Sequence, residues 1–275
     1  ENKKMKFKKL AAIALAATAV TAAASFASCG TDDKKETLIV YTEAGFAPWE
    51  FTAAGSTDII GVDMEIAKYI ANKYNYELDV INGTFDSIVA GISEDNALGI
   101  AGISWKASRA EAVEYSKFYY GGAFQAVVYL KSSNPTLTDD NDFAASNFEG
   151  AKVVYQTGTT SQMTIEDNEA AWKISSKQDF TLVAAALQEM KDTANTYLVV
   201  DSQVAAQLVA SDSSCAYSTI EGVDAESYGI VAKKGNTALI EKVNAALDEL
   251  LAKGADGKSQ IDKWLEQYSA IEPAE

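Results

Sequence analysis

Histidine is missing altogether from the 275 residues, arginine occurs once, cysteine twice and proline three times. The first absence excludes histidine-based triads, histidine-ligated zinc and any imidazole proton switch. Positive charge is scarce as well. With 23 basic against 39 acidic residues the net charge is −16, a surface that repels phosphate backbones and excludes nucleic acid as a partner. What is present is 48% hydrophobic and 23% charged, enough apolar material for one large or two medium domains and too much for a disordered chain. Arg109 stands alone against 22 lysines. A chain that uses lysine for generic cations marks Arg109 as a position where a point charge does not suffice and a planar fork of donors does.

Lys3, Lys4, Lys6, Lys8 and Lys9 precede an apolar run from Leu10 to Ala24 and the small-residue stretch Phe26-Ala27-Ser28-Cys29. That run is about 15 residues, short of the ~20 that a membrane-spanning helix needs. Basic, apolar and small in that order predict a cleaved export signal over residues 1–28, with Met5 as its start. The tetrapeptide ending in Cys29 resembles the lipobox of bacterial lipoproteins, with Phe26 where leucine is usual. The resemblance implies a lipidated Cys29 as the first mature residue, followed over 29–36 by a polar tether. Two or more acyl chains then anchor an extracytoplasmic protein to the cell membrane, on the periplasmic face in a two-membrane bacterium. The competing reading pairs Cys29 with Cys215, against which stands a tether with no apolar content to hold it near a partner. Removing residues 1–28, which carry five lysines and one glutamate, leaves 18 basic against 38 acidic residues, a net charge of −20.

Beyond the tether, short β-branched runs alternate with amphipathic stretches. Leu38-Ile39-Val40-Tyr41 reads as a strand, and Val62, Ile66, Tyr69, Ile70 and Tyr74 share one face at helical spacing. A strand near 77–81, a helix over 85–92, a strand near 98–103, a helix from Ser108 and a strand over 125–130 follow. A polar stretch from Lys131 to Asp142 interrupts the pattern, and a second set begins at Lys152-Val153-Val154-Tyr155. It contains a helix over 181–190, a strand over 196–200 and a helix over 202–210. After the strand 227–232 come two helices, with Leu239, Ile240, Val243, Ala246, Leu247, Leu250 and Leu251 on one apolar face and Ile261, Trp264, Leu265 and Tyr268 on the other. The alternation predicts an α/β protein of two lobes, each a mainly parallel sheet flanked by helices. Lobe 1 is expected over 37–129 and 228–275 and lobe 2 over 130–227, tied by two crossover hinge strands around a cleft.

Four groups of residues stand at strand ends, where open α/β sheets bind ligands. Gly102-Ile103-Ser104 and Arg109 follow an apolar strand. The guanidinium can hold a carboxylate through two parallel hydrogen bonds, or be a solvated residue in a first helical turn; Ser104 can assist it or cap the helix. Gln156-Thr157-Gly158-Thr159-Thr160-Ser161 is a glycine turn opening a helix, suited to a carboxylate or to simple capping, and it lacks the second glycine and the lysine of a phosphate loop. Asp201 ends a strand and can pair with an ammonium group or N-cap the next helix. Glu43, with Phe46, Trp49 and Phe51 after it, suggests a pocket with an apolar wall and one anion, unless those aromatic residues are core.

Six motifs occur in order: Phe46-Ala47-Pro48-Trp49-Glu50-Phe51, Gly61-Val62-Asp63-Met64-Glu65-Ile66-Ala67, Phe85-Asp86-Ser87-Ile88, Arg109 followed by Val113-Glu114-Tyr115-Ser116 and Tyr119-Tyr120, Gly158-Thr159-Thr160, and Tyr228-Gly229-Ile230 with Lys234-Gly235-Asn236. Over residues 38–268 the chain resembles the solute-binding proteins of ABC importers, specifically the polar amino-acid family with the type II periplasmic-binding-protein fold. The resemblance implies a monomeric, lipid-anchored receptor that takes a free amino acid and hands it to ABC permease subunits, with no metal, cofactor or catalytic residue. It implies that Arg109, Ser104 and the Thr160 backbone hold the ligand carboxylate. Asp201, the Gly102 carbonyl and Ser104 would hold the ammonium, while Glu43, Phe46, Phe85 and Ser161 line the side-chain pocket. Glu43, Trp105 and Lys106 depart from the residues usual there, which leaves the ligand side chain open. Alternative expectations are an enzyme like cyclohexadienyl dehydratase, with Glu43 as general acid or base, and a sensor ectodomain, which would continue into a membrane helix or kinase that the residues up to Glu275 do not supply.

Overall fold

A computed structural model describes residues 35–137 and 142–274. The expected export signal, Cys29 and the tether as far as Lys34 lie outside the described residues. In the first lobe β1 (Thr37–Thr42) leads through the short strands β2 (Gly45–Phe46), β3 (Glu50–Thr52) and β4 (Ile59–Ile60) to α1 (Val62–Lys73). Then come β5 (Glu77–Asn82), α2 (Phe85–Gly91), β6 (Ala97–Gly99), α3 (Ala107–Ala112) and β7 (Val113–Ala123). The second lobe holds β8 (Gln125–Leu130), β9 (Lys152–Gln156), α4 (Thr160–Asn168), β10 (Ser176–Phe180), α5 (Val183–Asp192), β11 (Thr196–Asp201), α6 (Ser202–Ser211) and β12 (Cys215–Thr219). The chain returns to the first lobe as β13 (Glu226–Lys233), α7 (Thr237–Leu251) and α8 (Gln260–Tyr268).

The two sheets share one plan. In the first, ordered β5-β1-β6-β13-β7, β1 runs parallel to β5 and β6 while β13 runs antiparallel to β6 and β7. In the second, ordered β10-β9-β11-β8-β12, β9 runs parallel to β10 and β11 while β8 runs antiparallel to β11 and β12. Each sheet is thus mainly parallel in strand direction, as expected, with one strand reversed. In each, the antiparallel strand is the first one after the chain has crossed between lobes.

The crossings also sit earlier than expected. β8, assigned from the sequence to lobe 1, pairs entirely within the second sheet, and β13 pairs with the first sheet from Glu226 onward. The changeovers are Phe124 and the segment 220–225, in place of 129/130 and 227/228. The cause is β7, a strand that alternation does not reveal. Three register shifts against β13 break its two-residue burial period, so residues 113–123 do not show the pattern of a strand.

Helix α1 buries Val62, Ile66 and Ile70 with Met64, Ala67 and Ala71 against the first sheet. It begins at Gly61, which admits no side chain: its φ is 126°, and a Cβ there would fall 2.1 Å from the Trp49 carbonyl oxygen. The expected apolar face of α7 is buried from Leu239 to Leu250, and Asn236 caps the helix. Ser259 and Asp262 close a capping box at the start of α8; each such cap contributes about 1 kcal/mol. In the second lobe Cys215 is a buried free thiol in the core between the sheet and α5 and α6. Among the described residues no helix is long and apolar enough to cross a membrane.

Candidate functional site

The ends of β1, β6, β9 and β11 face one another across a narrow cleft between the lobes. From the first lobe Phe46, Phe85, Gly102, Ser104 and Arg109 line it. From the second come Gln156, Thr159, Thr160, Ser161, Val199, Val200 and Asp201, with Gln125 at the crossing. Glu43 does not line the cleft. It is buried behind Gln156, whose Nε2 donates to Glu43 Oε2 at 3.1 Å and to the Thr181 carbonyl at 3.0 Å.

Arg109 lies in α3, where the solvated reading would leave it exposed; it is 6% exposed. Its Nη1 donates to the Ser104 carbonyl at 2.8 Å, its Nη2 donates across the cleft to the Gly158 carbonyl at 2.7 Å, and its Cζ lies 5.4 Å from the centre of the Phe85 ring. Two of five N–H donors are thereby committed, and the fork is held rigid. Burial lowers the guanidinium's proton affinity while Tyr115 and Glu226 act the other way, and an arginine remains a cation under such conditions. Ser104 does not cap α3, which starts after Lys106; it bridges to Tyr228 of β13, which fixes the segment against the first sheet.

On the second lobe the capping reading holds, and the capping residues also line the cleft. Thr159 caps α4 by accepting from Gln162 N, and Thr160, the first helical residue, donates its hydroxyl to Glu226 Oε2 at 2.8 Å. Ser161 donates to Gln125 Oε1 at 2.6 Å, and Gln125 Nε2 donates to Thr160 Oγ1 at 3.1 Å. Asp201 caps α6 through Gln203 N at 2.8 Å and also accepts from the Tyr228 hydroxyl. Burial pushes its carboxyl up to about 7, helped by the charge of Glu226 and opposed by those two hydrogen bonds. Burial likewise raises Glu43, against the opposing hydrogen bond from Gln156.

Sequence reasoning missed Gln125 and Gln156, which line the cleft, and Glu226, which accepts from Thr160 beside it. Gln156 was visible as the first residue of the glycine turn. Glu226 gave no signal, because only the crossing between β12 and β13 brings it against Thr160 and Gln125, which line the cleft. There it faces Lys106 Nζ at 3.1 Å, which accounts for that lysine. The cleft thus carries one cationic fork from the first lobe and one carboxylate from the second, with Phe46, Phe85, Val199 and Val200 among its apolar lining.

Residues 38–267 match the bacterial extracellular solute-binding proteins, family 3. The chain belongs to this family. It is 25% identical to the arginine-binding extracellular protein ArtP of Bacillus subtilis over 234 residues, 84% of this chain and 87% of that protein. An ancestral arginine-binding protein bound to arginine is 30% identical with a TM-score of 0.73, covering 85% of this chain and 98% of the other. Holo ArgBP of T. maritima is 27% identical with a TM-score of 0.70, covering 84% and 95%. The two-lobed mixed α/β architecture is thus that of the family 3 solute-binding proteins.

Proposed function

We propose that the cleft binds a free L-amino acid with a cationic side chain, L-arginine before others, and that the loaded protein delivers it to ABC permease subunits without breaking a bond. The observation that carries this reading is the placement of Arg109 and Asp201 on opposite walls of one shut cleft. In it Arg109, Ser104 and the Thr160 backbone hold the α-carboxylate. Asp201 and the Gly102 carbonyl, with Ser104, hold the α-ammonium. Phe46, Phe85, Ser161 and, through Gln156, the buried Glu43 surround the side chain, where an anion favours a guanidinium. The arginine-binding relatives support the same choice of ligand.

In this proposal lobe 1 comprises 37–123 and 226–275 and lobe 2 comprises 125–219, both hinged at Phe124 and 220–225. The mature protein is a monomer held at the cell membrane by lipid on Cys29, after loss of residues 1–28. Closure follows from the ligand's higher affinity for the closed state. Isothermal titration of the purified protein, freed of co-purifying ligand by unfolding and refolding, checks the reading. Micromolar or tighter binding of arginine, above lysine, histidine and glutamine, is the expected result. Binding no tighter than millimolar for every amino acid overturns it.

A further inference from the structure

Beneath the cleft, two carboxyl groups are enclosed in the first lobe, Glu50 at the start of β3 and Asp63 in the first turn of α1, each 0% exposed. Asp63 Oδ2 accepts from the Gly102 backbone N–H at 2.8 Å and from the Tyr119 hydroxyl at 3.0 Å. Its Oδ1 and both oxygens of Glu50 receive no donor from any other group. These three atoms belong to two side chains within hydrogen-bond reach of each other. Facing carboxylates cannot both stay ionised away from water, whereas one proton between them turns a repulsion into a strong hydrogen bond.

Which group holds the proton follows from the surroundings. Asp63 has two donors and the positive end of α1, all of which favour an anion. Glu50 has none, and the other charge acting on it is the carboxylate of Glu43. Tyr119 from β7 is the remaining titratable group at the pair, and burial among carboxylates keeps it a neutral donor. Gly102, which the pair holds, has a left-handed φ of 52°, and a Cβ there would meet the Phe46 ring at 2.9 Å. The backbone of Gly102 lines the cleft against Phe46, and its amide points into Asp63.

We propose that Glu50 and Asp63 are a positioning pair that shares one proton, held on Glu50 with the charge on Asp63, and that fixes the Gly102 amide so that its carbonyl meets the ligand. The affinity part rests on the amino-acid reading above; the proton-sharing part does not.

Infrared spectroscopy of the ligand-free protein at neutral pH should show a protonated-carboxyl stretch that disappears in Glu50→Gln. That variant keeps a donor toward Asp63, so the Gly102 amide resonance and the arginine dissociation constant should stay within about twofold of the wild type. Glu50→Ala and Asp63→Asn should both shift the Gly102 resonance and weaken arginine about tenfold, the glutamine variant marking the rescue. A carboxyl absorption unchanged by Glu50→Gln, or an Asp63→Asn protein with the wild-type Gly102 resonance, overturns the proposal. Should Asp63→Asn fail to fold, the infrared comparison and the glutamine–alanine contrast still decide it. If the wild type binds no amino acid, the functional reading falls while the infrared and Gly102 measurements judge the pair by themselves.

Discussion

The two lobes have the same sheet plan but build their halves of the cleft in opposite ways. In the second lobe the site residues are also helix caps or first-turn residues: Thr159 and Asp201 cap α4 and α6, and Thr160 opens α4. Their positions come free with the βα turns, which present donors and helix dipoles at strand ends in any open α/β sheet. In the first lobe, by contrast, Gly102 and Ser104 lie in a segment between β6 and α3, and the six-residue α3 has no side-chain cap. That wall is held by a buried carboxyl pair below, the Ser104–Tyr228 bridge beside it, and Arg109 folded back onto the Ser104 carbonyl. One wall is therefore set by regular structure and the other by tertiary hydrogen bonds. Substitutions in the first wall should cost more binding than their counterparts in the second.

The sharpest break is Arg109→Lys. An ammonium can reach neither the Ser104 and Gly158 carbonyls together nor a carboxylate in bidentate fashion, so arginine binding should weaken by about 100-fold in titration calorimetry. Asp201→Asn tests the opposite wall and should cost about tenfold. Asparagine still caps α6, so the melting temperature should not fall with the affinity. The pH dependence sharpens this. A carboxyl raised from 3.8 to about 7 makes its stabilising contribution at low pH and loses it as pH rises through about 7. The ligand's ammonium needs the anion, so wild-type affinity should rise between about pH 6 and about pH 8, with proton release below about 7. A slope that survives in Asp201→Asn would remove Asp201 from the ammonium site.

Gly158→Ala bears on closure. Gly158 has a φ of 77°, and a Cβ there would stand 2.8 Å from Asp86 Cβ and 3.0 Å from Asp86 Cα, in α2 of the other lobe. The left-handed backbone costs an alanine about 1 kcal/mol whether or not the lobes are together. The contact with Asp86 exists only when they are shut. Affinity should fall about tenfold, and small-angle scattering with saturating arginine should show a larger radius than the wild type.

The difference between the walls also explains what the sequence disclosed. Thr160, Ser161 and Asp201 were legible because strand–turn–helix patterns place their residues at predictable ends. Arg109 was legible through composition, as the single arginine among lysines, and through its place just after an apolar strand. β7 was not, since its register shifts erase the period of two, and the lobe boundaries were misplaced with it. Glu226 and the partnership of Glu50 with Asp63 join residues that no local spacing connects: Thr160 and Glu226 are 66 positions apart, and Gly102 and Asp63 are 39 apart. The position of Glu43 just after β1 suggests a residue lining the cleft; in the fold it is Gln156 that lines it, with Glu43 hydrogen-bonded to its Nε2.

The smallest effect is expected where the sequence departs from the usual residues. Two roles compete for the partly exposed Lys106, recharging the ligand pocket or merely serving Glu226. Its Nζ lies 3.1 Å from Glu226 Oε1, and Glu226 Oε2 already accepts from Thr160. Water reaches the lysine end of this pair, so the attraction is screened and worth at most about 1 kcal/mol. After Lys106→Ser the glutamate keeps its Thr160 donor and the field of Arg109, so its geometry should persist. Arginine affinity should change by less than about threefold, in either direction, and added salt should erase what change there is. A loss as large as that of Asp201→Asn would mean that Lys106 touches the ligand, and that the first wall carries two cations where the structure commits one to each partner.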